Sequence, residues 1–313
     1  ILGTPYVNML NKAVEYNKQN ELIQVSEALH EKKYAEIADN IYGRKDEVKL
    51  VLLAGPSSSG KTTSCRRIAT QLSVLGFKPL QISLDDYFVD REHTPKDASG
   101  NYDFECIEAL DLDFFNYQMK ELLSGAEIEL PRFDFISGKR VQSGNRLKMK
   151  ANSILIVEGI HALNPHLTDK IEAKNKYNVF VSAMTQLALD RHNLISSSDN
   201  RLLRRIVRDN NYRGYSAQDT ILRWDSVRSG EEKHIFPYQE NADSIFNSSL
   251  LYEIGVLKPT AEKLLFEVAQ NSPAYSEARR LQNFLSEFKS IKTDFIPPTS
   301  IMREFLGGSS FAY

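Results

Sequence analysis

From Val48 onward, short apolar runs alternate with longer stretches of helical spacing. The strand candidates are 48–54, 79–84, 153–157, 177–183 and 243–246. Runs such as LVLLA and ILIV are apolar at every position, as strands covered by helices on both faces require; a half-solvated sheet would alternate. Between them the spacing predicts helices at 61–75, 112–123, 185–191 and 200–210. In the second of these, Leu112, Phe115, Met119 and Leu122 share one face. Strand–helix alternation of this kind predicts an α/β fold, with a doubly wound, mostly parallel sheet and helices on both faces. Residues 1–46 read as helical, with Leu10, Val14, Ile37 and Ile41 at helical spacing, Ser26 as a cap and Gly43 as a stop. The pattern is helical again from about Lys258, before Pro297-Pro298 and a Gly-Gly-Ser-Ser tail. The expected division is a helical segment at 1–46, an α/β core at 47–257 and a helical extension at 258–313.

Composition narrows the class. A chain of 313 residues, 42% hydrophobic and 26% charged, buries one large core or two modest ones. Lys plus Arg is 39 and Asp plus Glu is 41, a net charge of −2, which argues against coating nucleic acid or an anionic membrane. The apolar runs are far shorter than the ~20 residues of a membrane helix. Two cysteines, Cys65 and Cys106, make no disulfide framework and point to a reducing cytoplasm. No repeat is visible, which argues against a solenoid. The first residue is Ile, and no secretory leader follows. The chain is therefore expected to be a fragment, its first residues the tail of a missing domain.

Residues 55–63 read Gly55-Pro56-Ser57-Ser58-Ser59-Gly60-Lys61-Thr62-Thr63, satisfying G-x-x-x-x-G-K-[ST] between an apolar strand and a helical pattern. Glycines allow a tight turn that aims successive N–H groups at phosphate oxygens, and the helix adds its positive end. Lys61 would reach the β- and γ-phosphates of ATP, and the Thr62 hydroxyl would bind Mg²⁺.

Carboxylates follow two of the strands. Asp85 and Asp86 end the 79–84 run, at the rim where open α/β sheets bind ligands. A carboxylate there would take a proton from an attacking hydroxyl or hold Mg²⁺, or be an ordinary acidic strand end. Glu158 directly follows SILIV, near the expected metal, where a helix cap is the alternative. The six histidines show no zinc-ligand spacing, and His161 reads as structural. Arg201, Arg204, Arg205 and Arg208 fall at i, i+3, i+4 and i+7, placing four guanidinium groups on one helical face with Arg213 just beyond. Such a row suits a docked polyphosphate, or is a solvated basic face paired with acids.

The order of these features is itself informative. After the loop come LDDYF, then Asn101-Tyr102-Asp103-Phe104, Pro131-Arg132-Phe133-Asp134-Phe135, Glu158-Gly159-Ile160 and the arginine row ending in Arg213-Gly214. Over roughly 48–250 this resembles the uridine kinase and phosphoribulokinase family of P-loop kinases. SLDDYFVDRE, EGIHALNP and the tail from Pro297 look like a bacterial uridine kinase-like branch, whose N-terminal modules are similar to part of threonyl-tRNA synthetase. The resemblance implies transfer of the ATP γ-phosphoryl group to a sugar hydroxyl, the 5′-OH of a pyrimidine nucleoside in uridine kinases. It implies Asp85 as general base, Asp103 on the ribose hydroxyls, and Phe133 and Phe135 against the base, with Tyr87 on the acceptor side. Arg205, Arg208 and Arg213 would meet the phosphates and acceptor. Three positions depart: Phe133 stands for a Tyr, Gly138 for a His and Tyr215 for an Arg, so two polar groups that discriminate a pyrimidine are missing. The rivals are another acceptor, such as a pentose phosphate, and an ATP-binding regulatory or RNA-associated module without kinase activity. Cys65 lies beyond the loop and does not resemble the regulatory cysteine pair of plant phosphoribulokinases. Self-association is left open.

Overall fold

The computed structural model describes residues 3–96, 100, 102–134 and 137–311. In chain order these form α1 (Val7–Glu15), α2 (Gln19–Tyr42), β1 (Leu50–Ala54), α3 (Lys61–Val74), β2 (Lys78–Ser83) and α4 (Leu112–Leu123). Next come β3 (Glu127–Asp134), β4 (Lys139–Lys148), β5 (Ser153–Glu158), β6 (Lys176–Ser182), α5 (Ser197–Arg213) and α6 (Ala217–His234). β7 (Ser244–Asn247), α7 (Glu253–Phe266), α8 (Tyr275–Ser286) and the single turn α9 (Arg303–Leu306) complete the chain.

The main sheet runs β2-β5-β1-β6-β7, with every neighbouring pair parallel. Its unbroken apolar runs are explained by burial on both faces. Val51, Leu53, Ile154, Ile156 and Val181 join the core formed with α2, α3, α5 and α7. Leu50, Leu52, Leu155, Val157 and Phe180 join the opposite core, where α4 supplies Phe115, Met119 and Leu122. Each such side chain, fully buried, contributes about 1.5–3 kcal/mol. From β1 the chain crosses to β2 at the sheet's edge, returns to β5 and later adds β6 on the other side, so the loop after β1 lies at the switch point where open sheets bind ligands.

Three sequence expectations change. The 185–191 helix is absent: that segment is extended, bridged to Tyr6 and Leu194 through Ala188, and Asp190 turns it by accepting from the N–H groups of His192 and Asn193. Ser26 caps nothing, because the break falls earlier, at Asn17 (φ 55), and Leu22, Ile23 and Ser26 are buried within α2. Gly43 does cap that helix. The β3–β4 hairpin escaped the strand reading, because charges interrupt its runs and β4 is mostly exposed.

The ends of the chain pack on the same core as the sheet. Tyr34 of α2 is fully buried, stacks on Phe246 at 4.3 Å and hydrogen-bonds Ser64 Oγ of α3 at 3.0 Å. Glu27 Oε1 accepts from Tyr252 Oη at 2.5 Å and from Ser300 Oγ at 2.6 Å, tying α2 to α7 and to the last residues. Cys65 and Cys106 are buried free thiols. Among the described residues, no helix is long and apolar enough to cross a membrane.

Candidate functional site: a phosphate loop and its rim

The chain leaves β1 into a tight loop that glycine makes passable. A Cβ at Gly55 would stand 2.1 Å from Val181 O, and Gly60 (φ +84) turns the chain into α3. Ser58 also adopts positive φ, at 58°. The buried hydroxyls of Ser58 and Ser59 have no hydrogen-bond partner among the described residues. Such a loop, opening onto a helix N-terminus, is a cradle for a polyphosphate.

Lys61 folds back over the loop and donates to Pro56 O at 3.1 Å; burial lowers its pKa, opposed by Glu158 and Asp85. Thr62 Oγ1 donates to Glu158 Oε1 at 3.1 Å. Ser83 of β2 stands in register with Glu158 of β5, so Asp85 leaves the sheet beside that carboxylate and is exposed. Burial, then Asp85, pushes the Glu158 carboxyl up to about 7. Thr62, Glu158 and Asp85 form an all-oxygen donor set, which fits Mg²⁺ and not a thiolate- or imidazole-bound metal.

Beside them opens a cavity of about 570 Å³, walled by Asp85, Glu158, Arg208, Arg213 and Glu304, with Leu130, Pro131 and Arg132 of β3 across it. The structure sorts the expected acceptor residues. Tyr87 forms part of the wall but is only 1% exposed, and its hydroxyl donates to Gln118 Oε1 at 2.7 Å. Phe133 turns inward against Phe88, with ring centroids 5.6 Å apart. Asp103 stands outside the cavity wall, its Oδ1 accepting from Glu105 N at 3.0 Å. Phe135 lies outside the described residues. Over Gly138 (φ +70) lies Arg91, whose guanidinium carbon is 2.8 Å from where a Cβ would stand. Tyr215 faces the Arg223 guanidinium, 4.4 Å from the ring centroid.

The arginine row divides. Arg201 pairs with Glu231 at 2.6 and 2.8 Å and donates to Ser57 O at 3.1 Å. Arg204 is fully buried, pairs with Glu253 and donates to Ser58 O at 3.2 Å and Ser248 O at 2.9 Å. These two therefore do not form part of a cationic face open to a polyanion; they hold the loop from behind. Arg205 reaches Ser57 Oγ at 2.8 Å, and Arg205, Arg208 and Arg213 all turn to one buried carboxylate, Asp209. Asp209, Glu231, Glu253 and Glu304 were not singled out by sequence. Asp209 adjoins the row and was findable as its counter-ion; Glu231 and Glu253 are distant in sequence and carry no motif, and Glu304 lies in the tail from Pro297, whose resemblance gave it no role.

A phosphate cradle at the switch point of a parallel sheet, with a metal-compatible carboxylate on the next strand and a cationic helix end, defines a P-loop phosphotransferase. Residues 50–251 match the Phosphoribulokinase / Uridine kinase family, and the chain belongs to it. It is 30% identical over 198 residues to the uridine kinase of Staphylococcus aureus strain JH9, covering 63% of this chain and 86% of that protein. A possible uridine kinase from Bacillus stearothermophilus aligns at TM-score 0.41 and 16% identity, over 66% of this chain and 100% of that one. The D-glycerate 3-kinase of Cryptococcus neoformans aligns at TM-score 0.32 and 12% identity, over 88% and 87%.

Proposed function

We propose that this kinase transfers the γ-phosphoryl group of ATP to a hydroxyl of a small sugar-containing acceptor. The observation that carries this reading is the Thr62–Glu158 contact at 3.1 Å, directly under the loop and beside Asp85. Loop amides and Lys61 hold the triphosphate; Thr62, Glu158 and Asp85 hold Mg²⁺, which neutralises charge on the phosphate oxygens. Asp85 takes the acceptor's proton, and Arg205, Arg208 and Arg213 close on the phosphoryl group. Positioning and charge supply the catalysis, because phosphoryl transfer asks little covalent chemistry of the protein.

A nucleoside 5′-OH is the first acceptor, by likeness to uridine kinases. An anionic acceptor such as a pentose phosphate is the second reading, favoured by Arg66, Arg132 and Arg213 on the cavity wall and by the inward turn of Phe133. The free thiols fit the cytoplasm we assign to the protein. ADP release with nucleosides and with sugar phosphates decides between the two acceptors. No ADP release with any acceptor would instead leave a nucleotide-binding module. Asp85→Asn is expected to lower turnover by about 10² or more with Mg-ATP binding kept; unchanged turnover removes Asp85 from the role.

A further inference from the structure

The turn that ends in α9 is seated on the phosphate loop. Ile301, fully buried, has its Cδ1 2.9 Å from where a Cβ on Gly60 would stand. Beyond it, Glu304 lays one carboxylate oxygen on Thr63, accepting from its hydroxyl at 2.6 Å and from its backbone N–H at 3.3 Å. Packing fixes this placement: Met302 and Phe305 are fully buried, and Asn211 Nδ2 donates to Phe305 O at 2.9 Å. Thr63 belongs to the first turn of α3, whose N–H groups, with those of the loop, receive the nucleotide's phosphates in a site of this kind. An anionic oxygen already sits where a phosphate oxygen would go. One N–H and one hydroxyl proton cannot serve both, and the two negative charges repel in a partly buried site.

We propose that Glu304 is an internal stand-in for a nucleotide phosphate: it holds the Thr63 seat and must leave when a triphosphate enters. The inference rests on the loop being the nucleotide site. Glu304 also walls the open cavity, so rotation about its side-chain bonds moves the carboxylate out while the packed backbone stays. Affinity for nucleotide is then set by competition with the enzyme's own C-terminal segment. This assigns residues near 300 a part in the chemistry of a loop near 60.

Calorimetric titration of Mg-ATP into the full chain tests it, comparing wild type with Glu304→Ala and Glu304→Asp. The alanine variant vacates the seat and is expected to bind about tenfold more tightly. The aspartate variant keeps the charge but falls one methylene short of Thr63, and is expected to bind a few-fold more tightly. If the alanine variant loses its cooperative melt, the aspartate variant, the smaller change, carries the comparison. Wild-type binding with no gain in the folded variants overturns the competitor role. Binding by the variants alone supports it in its strongest form. Absence of binding by all three proteins, to Mg-ATP and Mg-GTP alike, overturns the nucleotide reading and this inference with it.

Discussion

The arginines of α5 fall into two sets with opposite outcomes. Arg201 and Arg204 each have a buried carboxylate of their own, Glu231 and Glu253, and donate to the carbonyls of Ser57 and Ser58. Arg205, Arg208 and Arg213 share the single carboxylate of Asp209. The first set is neutral as a unit and shapes the loop; the second carries more positive charge than its one carboxylate cancels, and Arg208 and Arg213 of it line the cavity. Identical side chains four residues apart thus differ in function through their counter-ions: full burial demands a carboxylate for each of Arg201 and Arg204, whereas Arg205, Arg208 and Arg213 keep some contact with solvent and share one.

Removing Arg204 should show the largest effect. Arg204→Ala leaves the Glu253 charge and the Ser58 and Ser248 carbonyls buried without their donor, a loss of about 3–5 kcal/mol. For a chain of this size that lowers the melting midpoint by roughly 10 °C. Thermal denaturation checks it, and a loss under ~1 kcal/mol would show that Arg204 is no scaffold. Arg208→Ala should do the reverse. Its partner Asp209 keeps Arg205 and Arg213, so the midpoint should hold while kcat/KM falls about 10- to 100-fold. A variant that melts early but turns over normally would erase the distinction between the two sets.

The sequence carried the parts of this site that are local. A nine-residue loop, a strand-end Glu158 and an Asp85 one strand away can be placed by pattern alone, since strand ends in a parallel sheet share a rim. The central strands β1 and β5 were legible because burial on both faces writes a continuous apolar run, whereas the edge strands β2 and β7 are only partly buried and carry a weaker signal. What stayed hidden depends on contacts distant in sequence. Helical spacing places Arg201, Arg204, Arg205 and Arg208 on one face, but does not reveal that Glu231 and Glu253 come to meet the first two. Nor could the inward turn of Phe133 be read, because a strand's two faces are told apart only by what packs on each. Glu304 lies in the tail from Pro297, but no spacing there gives it a role; its place follows from a tail held by Glu27, Ser300 and Phe305.

The finest difference between the two sets concerns Glu105, which lies near Arg205 and packs so closely on α6 that a Cβ at Gly230 would stand 2.5 Å from its own Cβ. Burial pushes its carboxyl from 4.5 up to about 7, with Arg205 the foremost opposing influence. A carboxyl that holds its proton more tightly folded than unfolded stabilises the protein at acidic pH, and that contribution is lost as pH rises from about 4.5 to about 7. Metal-free protein should accordingly be less stable at pH 8 than at pH 5.5 as far as this group is concerned, and Glu105→Gln should remove that part of the slope, about 1–2 kcal/mol. Urea denaturation in chelator at both pH values measures it. A slope unchanged by the substitution would mean that Glu105 stays ionised, and the rim arginines would then have a second full counter-ion, as Arg201 and Arg204 do.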